Sequence, residues 1–159
     1  MYKRQILNYD YLWIRLRVKG GAYGCMSGFG RDGDCYMVSY LDPKLAETNE
    51  VYDKLPEYLE QFDQDERSMD RYVIGAISEM DIPKNPAALG VRGLTAYLSG
   101  ITREQLQKER DEVIDTDAKE IRALVPYAKA VLSNNCLCVV GNENKIKENS
   151  SLFTTVRSL

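Results

Sequence analysis

The chain has 159 residues, 44% of them hydrophobic and 28% charged, with a formal net charge of -3. That is enough chain for one domain with its own core, and the composition of an ordinary globular protein. The charge argues against a nucleic-acid partner, because neutralising phosphates takes clustered Lys and Arg, whereas the basic residues here alternate with acidic ones, as between Arg103 and Glu112.

Gln5 to Val18 carries Ile6, Leu7, Tyr11, Ile14 and Val18 at α-helical spacing and stops at Gly20-Gly21, where a helix C-terminus is expected. Two strands are predicted next, Ala22 to Phe29 and Cys35 to Leu41, rich in β-branched, aromatic and small residues. Gly30-Arg31-Asp32-Gly33-Asp34 between them has the composition of a hairpin loop. A loop centred near Asp32 does not set Cys25 opposite Cys35, which disfavours a disulfide between them. Asp42-Pro43 reads as a helix start, with Asp as N-cap and Pro in the first turn. Leu45, Thr48, Val51, Tyr52, Leu55, Tyr58, Leu59 and Phe62 then keep the helical period, and Pro56 is expected to kink or split the helix. A second helix over Glu66 to Met80 places Met69, Tyr72, Val73, Ala76, Ile77 and Met80 on one face.

Asn85-Pro86 repeats the cap-plus-proline signal, and Gly100 closes a short helix. Thr102 with Gln105 has the capping-box pattern and opens a helix to about Ile114; Asp117 with Glu120 opens another to about Leu132. Cys136 to Val140 is predicted as a short strand, Asn142 to Ser150 as a last short helix, and Phe153 to Val156 as a final edge strand. This order predicts an α+β fold, an antiparallel sheet packed with several helices. So small a sheet with so much helix reads as part of a wider sheet completed by upstream sequence. An unpaired edge is a template for association, so the isolated chain is expected to self-associate.

With no histidine in the sequence, this chain alone cannot build a Ser-His-Asp triad, a Cys-His pair or a histidine metal site. Of the four cysteines, Cys136 and Cys138 share one face of the expected strand, and their spacing is not that of a Cys-x2-Cys zinc knuckle. Buried free thiols are favoured over a disulfide or metal site, and they fit a reducing compartment. No apolar run reaches the ~20 residues of a membrane span, so no membrane partner is expected, and no signal-peptide pattern opens the chain.

Two stretches are distinctive. They are Tyr11-Leu12-Trp13-Ile14-Arg15-Leu16-Arg17-Val18-Lys19-Gly20-Gly21-Ala22-Tyr23-Gly24 and Val38-Ser39-Tyr40-Leu41-Asp42-Pro43. Together they resemble the C-terminal half of presequence proteases and their bacterial relatives, in the pitrilysin and insulinase clan. Tyr97-Leu98-Ser99-Gly100-Ile101-Thr102 and Val139-Val140-Gly141 carry the resemblance through nearly the whole chain. Leu41 departs from it, since the family often has Arg before the Asp-Pro.

The resemblance implies a chamber protease of two halves, each with two related α+β domains. It implies an inverted His-x-x-Glu-His motif in the N-terminal half, where zinc polarises the scissile carbonyl and activates water with the Glu as base. The C-terminal half has no metal and closes over the peptide substrate. Residues 1–159 would then be the C-terminal portion of the last domain, a partial pitrilysin/insulinase-type domain. Zinc would belong to the parent rather than to this chain, the zinc-binding half would be its partner, and a bacterial parent would be cytoplasmic.

The same resemblance implies that Arg17, at the helix end, and Tyr23, at the strand start, contact substrate near the scissile bond. A guanidinium offers fixed donors and does not deprotonate. A tyrosine hydroxyl can stabilise the oxyanion that develops on an attacked carbonyl. Donors held on the far half act only when the chamber closes. From spacing alone, Arg17 reads as a complement to the helix macrodipole and Tyr23 as strand packing. Gly20, Gly21 and Gly24 read as a helix break and strand start more than as room for substrate. They do not form a phosphate loop, lacking both the Gly-Lys-Ser/Thr ending and a following helix. Trp13 and the tyrosines read as core and interface, and Asp115 with Asp117 as a turn plus a helix cap. Two rival functions stand beside the protease segment: a catalytically inactive scaffold or interaction domain of the same fold, and a free-standing small-molecule-binding domain. The presence of both Arg17 and Tyr23 favours the active type.

Overall fold

A computed structural model describes residues 6–30 and 33–158. The expected first helix residue, Gln5, and the centre of the hairpin loop, Arg31 and Asp32, lie outside them. Helix α1 (Ile6–Val18) forms where the apolar pattern predicts a helix, but it is wound as a π-helix. Its bonds run from residue i to i−5, and the Lys19 N–H continues that pattern to the Ile14 carbonyl at 3.1 Å. Residues five apart therefore share a face, and the buried set is Ile6, Leu7, Tyr11, Leu12 and Leu16. This corrects the predicted α-helical face: Ile14 and Val18 are exposed, and Leu12 and Leu16 are buried in their place. Gly21, at φ 87°, turns the chain out of the helix in a conformation a side chain would strain.

Strands β1 (Gly24–Phe29) and β2 (Cys35–Tyr40) pair antiparallel, with Gly24 opposite Tyr40 and Phe29 opposite Cys35. Cys25 faces Ser39, so it does not oppose Cys35, as predicted. One face of the hairpin lies on α1, with Cys25 and Met37 against the core and Ser27 buried. Asn8 of α1 accepts hydrogen bonds from the Ser27 N–H at 2.6 Å and the Ser27 hydroxyl at 2.7 Å. That satisfies a backbone donor of β1 pointing away from β2 and blocks this edge. The outer edge of β2 has no neighbouring strand among the described residues. The other face of the hairpin exposes Met26, Tyr36, Val38 and Tyr40. Tyr36 covers Gly28, where a Cβ would come within 2.4 Å of the ring.

Helix α2 (Ala46–Asp53) begins later than Asp42-Pro43 predicts, with Leu45 at the N-cap position. Asp42 instead braces the preceding turn, accepting from the Lys44 N–H at 2.9 Å and the Thr48 hydroxyl at 2.8 Å. Pro56 splits the helical run as predicted, opening α3 (Leu55–Glu60). Helix α4 (Glu66–Met80) has the predicted bounds and buries Met69 and Ala76. Helix α5 (Pro86–Leu98) is capped by Asn85, and α6 (Arg103–Ile114) by both reciprocal bonds of the Thr102–Gln105 box, at 3.2 and 2.8 Å. The single helix expected from Asp117 to Leu132 is two, α7 (Ala118–Arg122) and α8 (Val125–Ser133), because Pro126 has no N–H to continue α7 and instead fits the first turn of α8. Helix α9 (Glu143–Glu148) and a 3-10 turn at Ser150–Leu152 follow.

The expected strands at Cys136–Val140 and Phe153–Val156 do not form. Strand formation depends on a neighbouring edge to pair with. Residues 136–140 are instead separated from β2 by a groove of about 720 Å³. The same fact corrects the thiols: all four are free, but only Cys25 is partly buried, while Cys35, Cys136 and Cys138 are exposed. The result is an α+β partial domain, a two-stranded antiparallel sheet among helices. Its core joins the buried face of α1 to Leu55, Leu59, Phe62, Ile121 and Val125.

One contact of α1 has a pH signature. The Tyr72 hydroxyl of α4 donates to the Asp10 carboxylate. Burial pushes the Asp10 pKa above its ordinary value, with Arg71 pulling the other way. A raised folded-state pKa means full stability below the unfolded value and a loss as pH rises through the folded one. Asp10→Asn keeps an acceptor for Tyr72 without the charge. It is expected to raise the melting temperature slightly at pH 7, by about 1 °C because Asp10 is largely exposed, and to lose that gain near pH 3. A fall in melting temperature at pH 7 would give the charge a net stabilising role.

Candidate functional site

The break at Gly20-Gly21 folds β1 back beside the end of α1, and this sets Arg17 against Tyr23. Arg17 Nη1 donates to the Tyr23 carbonyl at 2.5 Å. Its guanidinium carbon stands 4.3 Å from the centre of the Trp13 ring and 5.6 Å from that of Tyr23. Tyr23 in turn meets Tyr40 edge to face, ring centres 6.0 Å apart at 76°. Its backbone N–H joins the end of β2 through the Tyr40 carbonyl at 3.1 Å. The structure therefore brings the two sequence-predicted residues together and adds Trp13 and Tyr40 to them. Trp13 is not core, and its one-turn spacing from Arg17 is the signal that could have found it.

Tyr23 is 64% exposed, and Arg17 is partly buried. Among the described residues Arg17 makes one hydrogen bond and no ion pair, so its other N–H groups face no acceptor among them. The cluster thus offers cationic and phenolic donors beside exposed ring surface, a combination suited to carbonyl or carboxylate oxygens on a chain with apolar side chains. Cys25 lies next along β1; burial pushes its thiol pKa up, with Arg17 pulling it down, so the thiol is protonated at neutral pH and a weak nucleophile.

The other weighed residues have structural roles. A Cβ on Gly20 would meet the Leu16 carbonyl at 2.4 Å, so this glycine closes the helix. Asp117 caps α7 by accepting from the Glu120 N–H at 2.9 Å, and Asp115 ends α6. Leu41, the departure from the family pattern, is exposed at φ 47° where β2 turns towards α2. Among the described residues no group of three or more His, Cys, Asp or Glu could hold a metal, so these residues do not fit a zinc centre. An apolar pocket of about 360 Å³ between α1, the hairpin end, α3 and α8 lies away from Arg17 and Tyr23. No helix among the described residues is long and apolar enough to cross a membrane.

A family model described as the PreP C-terminal domain matches residues 3–141. The chain is 47% identical over 154 residues to Protein HypA of Clostridium perfringens, covering 97% of this chain and 16% of that protein. It is 30% identical over 154 residues to Presequence protease 1, chloroplastic/mitochondrial, of Arabidopsis thaliana, covering 94% and 14% respectively. It is 27% identical over 140 residues to the mitochondrial presequence protease of Emericella nidulans, covering 87% and 13%. The chain thus spans about a sixth or less of the length of these relatives.

Proposed function

The chain belongs to the PreP C-terminal domain family, and from that membership we propose that it is the substrate-binding, non-catalytic C-terminal segment of a zinc-dependent metalloendopeptidase that degrades oligopeptides. The observation that carries this reading is the pairing of the partly buried Arg17 with the exposed Tyr23, joined by the bond from the guanidinium to the Tyr23 carbonyl. Arg17 donates to a backbone carbonyl of the bound peptide, a ground-state contact. The Tyr23 hydroxyl donates to the oxygen that becomes negative as the scissile carbonyl is attacked. Zinc and the general base belong to the N-terminal half of the longer polypeptide, the partner on which this segment closes.

On this reading the isolated chain binds no zinc tightly and cleaves no peptide. Elemental analysis of purified protein and a fluorogenic peptide assay check it; stoichiometric zinc, or turnover that survives repurification, would overturn it. The isolated chain is also expected to self-associate. The edge of β2 that has no neighbouring strand among the described residues, with the exposed side chains of Met26, Tyr36, Val38 and Tyr40 beside it, is the surface for that contact. Light scattering across a concentration series should show dimers or larger species, and a strictly monomeric profile counts against this surface.

A further inference from the structure

We infer that Trp13 is a positioning residue for the substrate-binding site, holding the Arg17 guanidinium in the orientation in which it receives a peptide carbonyl. The inference rests on the proposed role of Arg17. A guanidinium on a long flexible stem loses rotamer freedom when it must meet a ligand in one geometry. Here two restraints remove that freedom beforehand. The Trp13 ring, on the same helix, lies 4.3 Å from the guanidinium carbon, within the range of a cation–π contact. The Tyr23 carbonyl accepts a hydrogen bond from Nη1 at 2.5 Å and fixes the rotation of the group in its own plane.

Trp13 also accounts for its own exposure. It is the one tryptophan of the chain, 36% exposed in the middle of α1, and off the face that carries Tyr11, Leu12 and Leu16 into the core. The neighbouring pair repeats the motif without the site: Arg15 lies 4.7 Å from the ring of Tyr11, a core residue whose hydroxyl is spent on the Val51 carbonyl at 2.5 Å. Of these two arginines, Arg17 alone is stacked and also bonded to Tyr23, just before β1. Preorganisation of this kind lowers the ordering cost of binding and changes no bond made in the reaction. Loss of Trp13 should therefore act on KM.

In the full-length protease that contains this chain, Trp13→Leu is expected to raise KM for an unfolded peptide about three- to tenfold, with kcat within about twofold of the parent value. Trp13→Phe keeps a ring face and should restore most of the affinity. Arg17→Ala should raise KM at least as much as Trp13→Leu. Trp13→Leu added to Arg17→Ala should raise it no further, because the ring then has nothing to position. A merely structural role for Trp13 would instead add its loss to that of Arg17→Ala. If Trp13→Leu does not fold, Trp13→Gln replaces it in the same cycle. Normal KM in Arg17→Ala removes the substrate-binding reading of Arg17 itself. An impaired Arg17→Ala beside a normal Trp13→Leu, or additive losses in the double variant, removes the role of Trp13 alone.

Discussion

On the proposed function, Tyr23→Phe in the full-length polypeptide is expected to lower kcat by about 10²-fold while KM changes little. The substitution removes one hydroxyl and keeps the ring, so the edge-to-face contact with Tyr40 is retained. The backbone role of Tyr23 also survives, since its carbonyl still accepts from Arg17 and its N–H still reaches the end of β2. Only the donor proposed for the transition state is lost, and such a loss appears in kcat. Removal of one such donor typically costs about 10²- to 10³-fold. The low end is expected here because the hydroxyl comes from a residue that is 64% exposed rather than buried. Melting temperature and metal content should stay at the parent values, since Tyr23 is neither core nor ligand. Near-normal kinetics in folded, zinc-loaded Tyr23→Phe would return Tyr23 to a packing role at the strand start.

Leu12→Ala should destabilise the protein by about 2–5 kcal/mol, the range for emptying a fully buried leucine site. Leu12 is 0% exposed, in the core cluster that also holds Tyr11, Leu55 and Leu59. Ile14, by contrast, is 40% exposed, and Ile14→Ala should cost less than about 1 kcal/mol. The pair tests the winding of α1 directly. An α-helical register would bury Ile14 with Ile6, Leu7, Tyr11 and Val18, and would reverse the order of the two losses. Urea denaturation with a common m-value gives both numbers, and a larger loss in Ile14→Ala would refute the π register.

Much of the fold was legible because its signals are local. Asn85, Thr102 with Gln105, and Asp117 each bond a backbone N–H three residues on, so sequence spacing contains the whole interaction. Pro56 splits its helix by a missing donor, and Gly20-Gly21 ends α1 by the conformation Gly21 adopts. Arg17 and Tyr23 were singled out by the family resemblance rather than by spacing, and the helix, two-glycine break and strand start then bring them together. The winding of α1 was not legible. Its buried face is chosen by what it packs against, and Asn8 is tied to Ser27 of the hairpin while Tyr11 is tied to Val51 of α2. Those partners are distant in sequence, and together they favour a repeat of five over the helical repeat that the apolar residues also satisfy. The strand expected at Cys136–Val140 was lost on the same ground. Apolar β-forming residues make a strand only when they reach an edge, and a groove holds these away from β2. With that strand went the burial of Cys136 and Cys138. Trp13 moved the other way, from an anticipated core and interface residue to a partner of Arg17, because a winding decided by tertiary contacts turned its ring outwards onto the site.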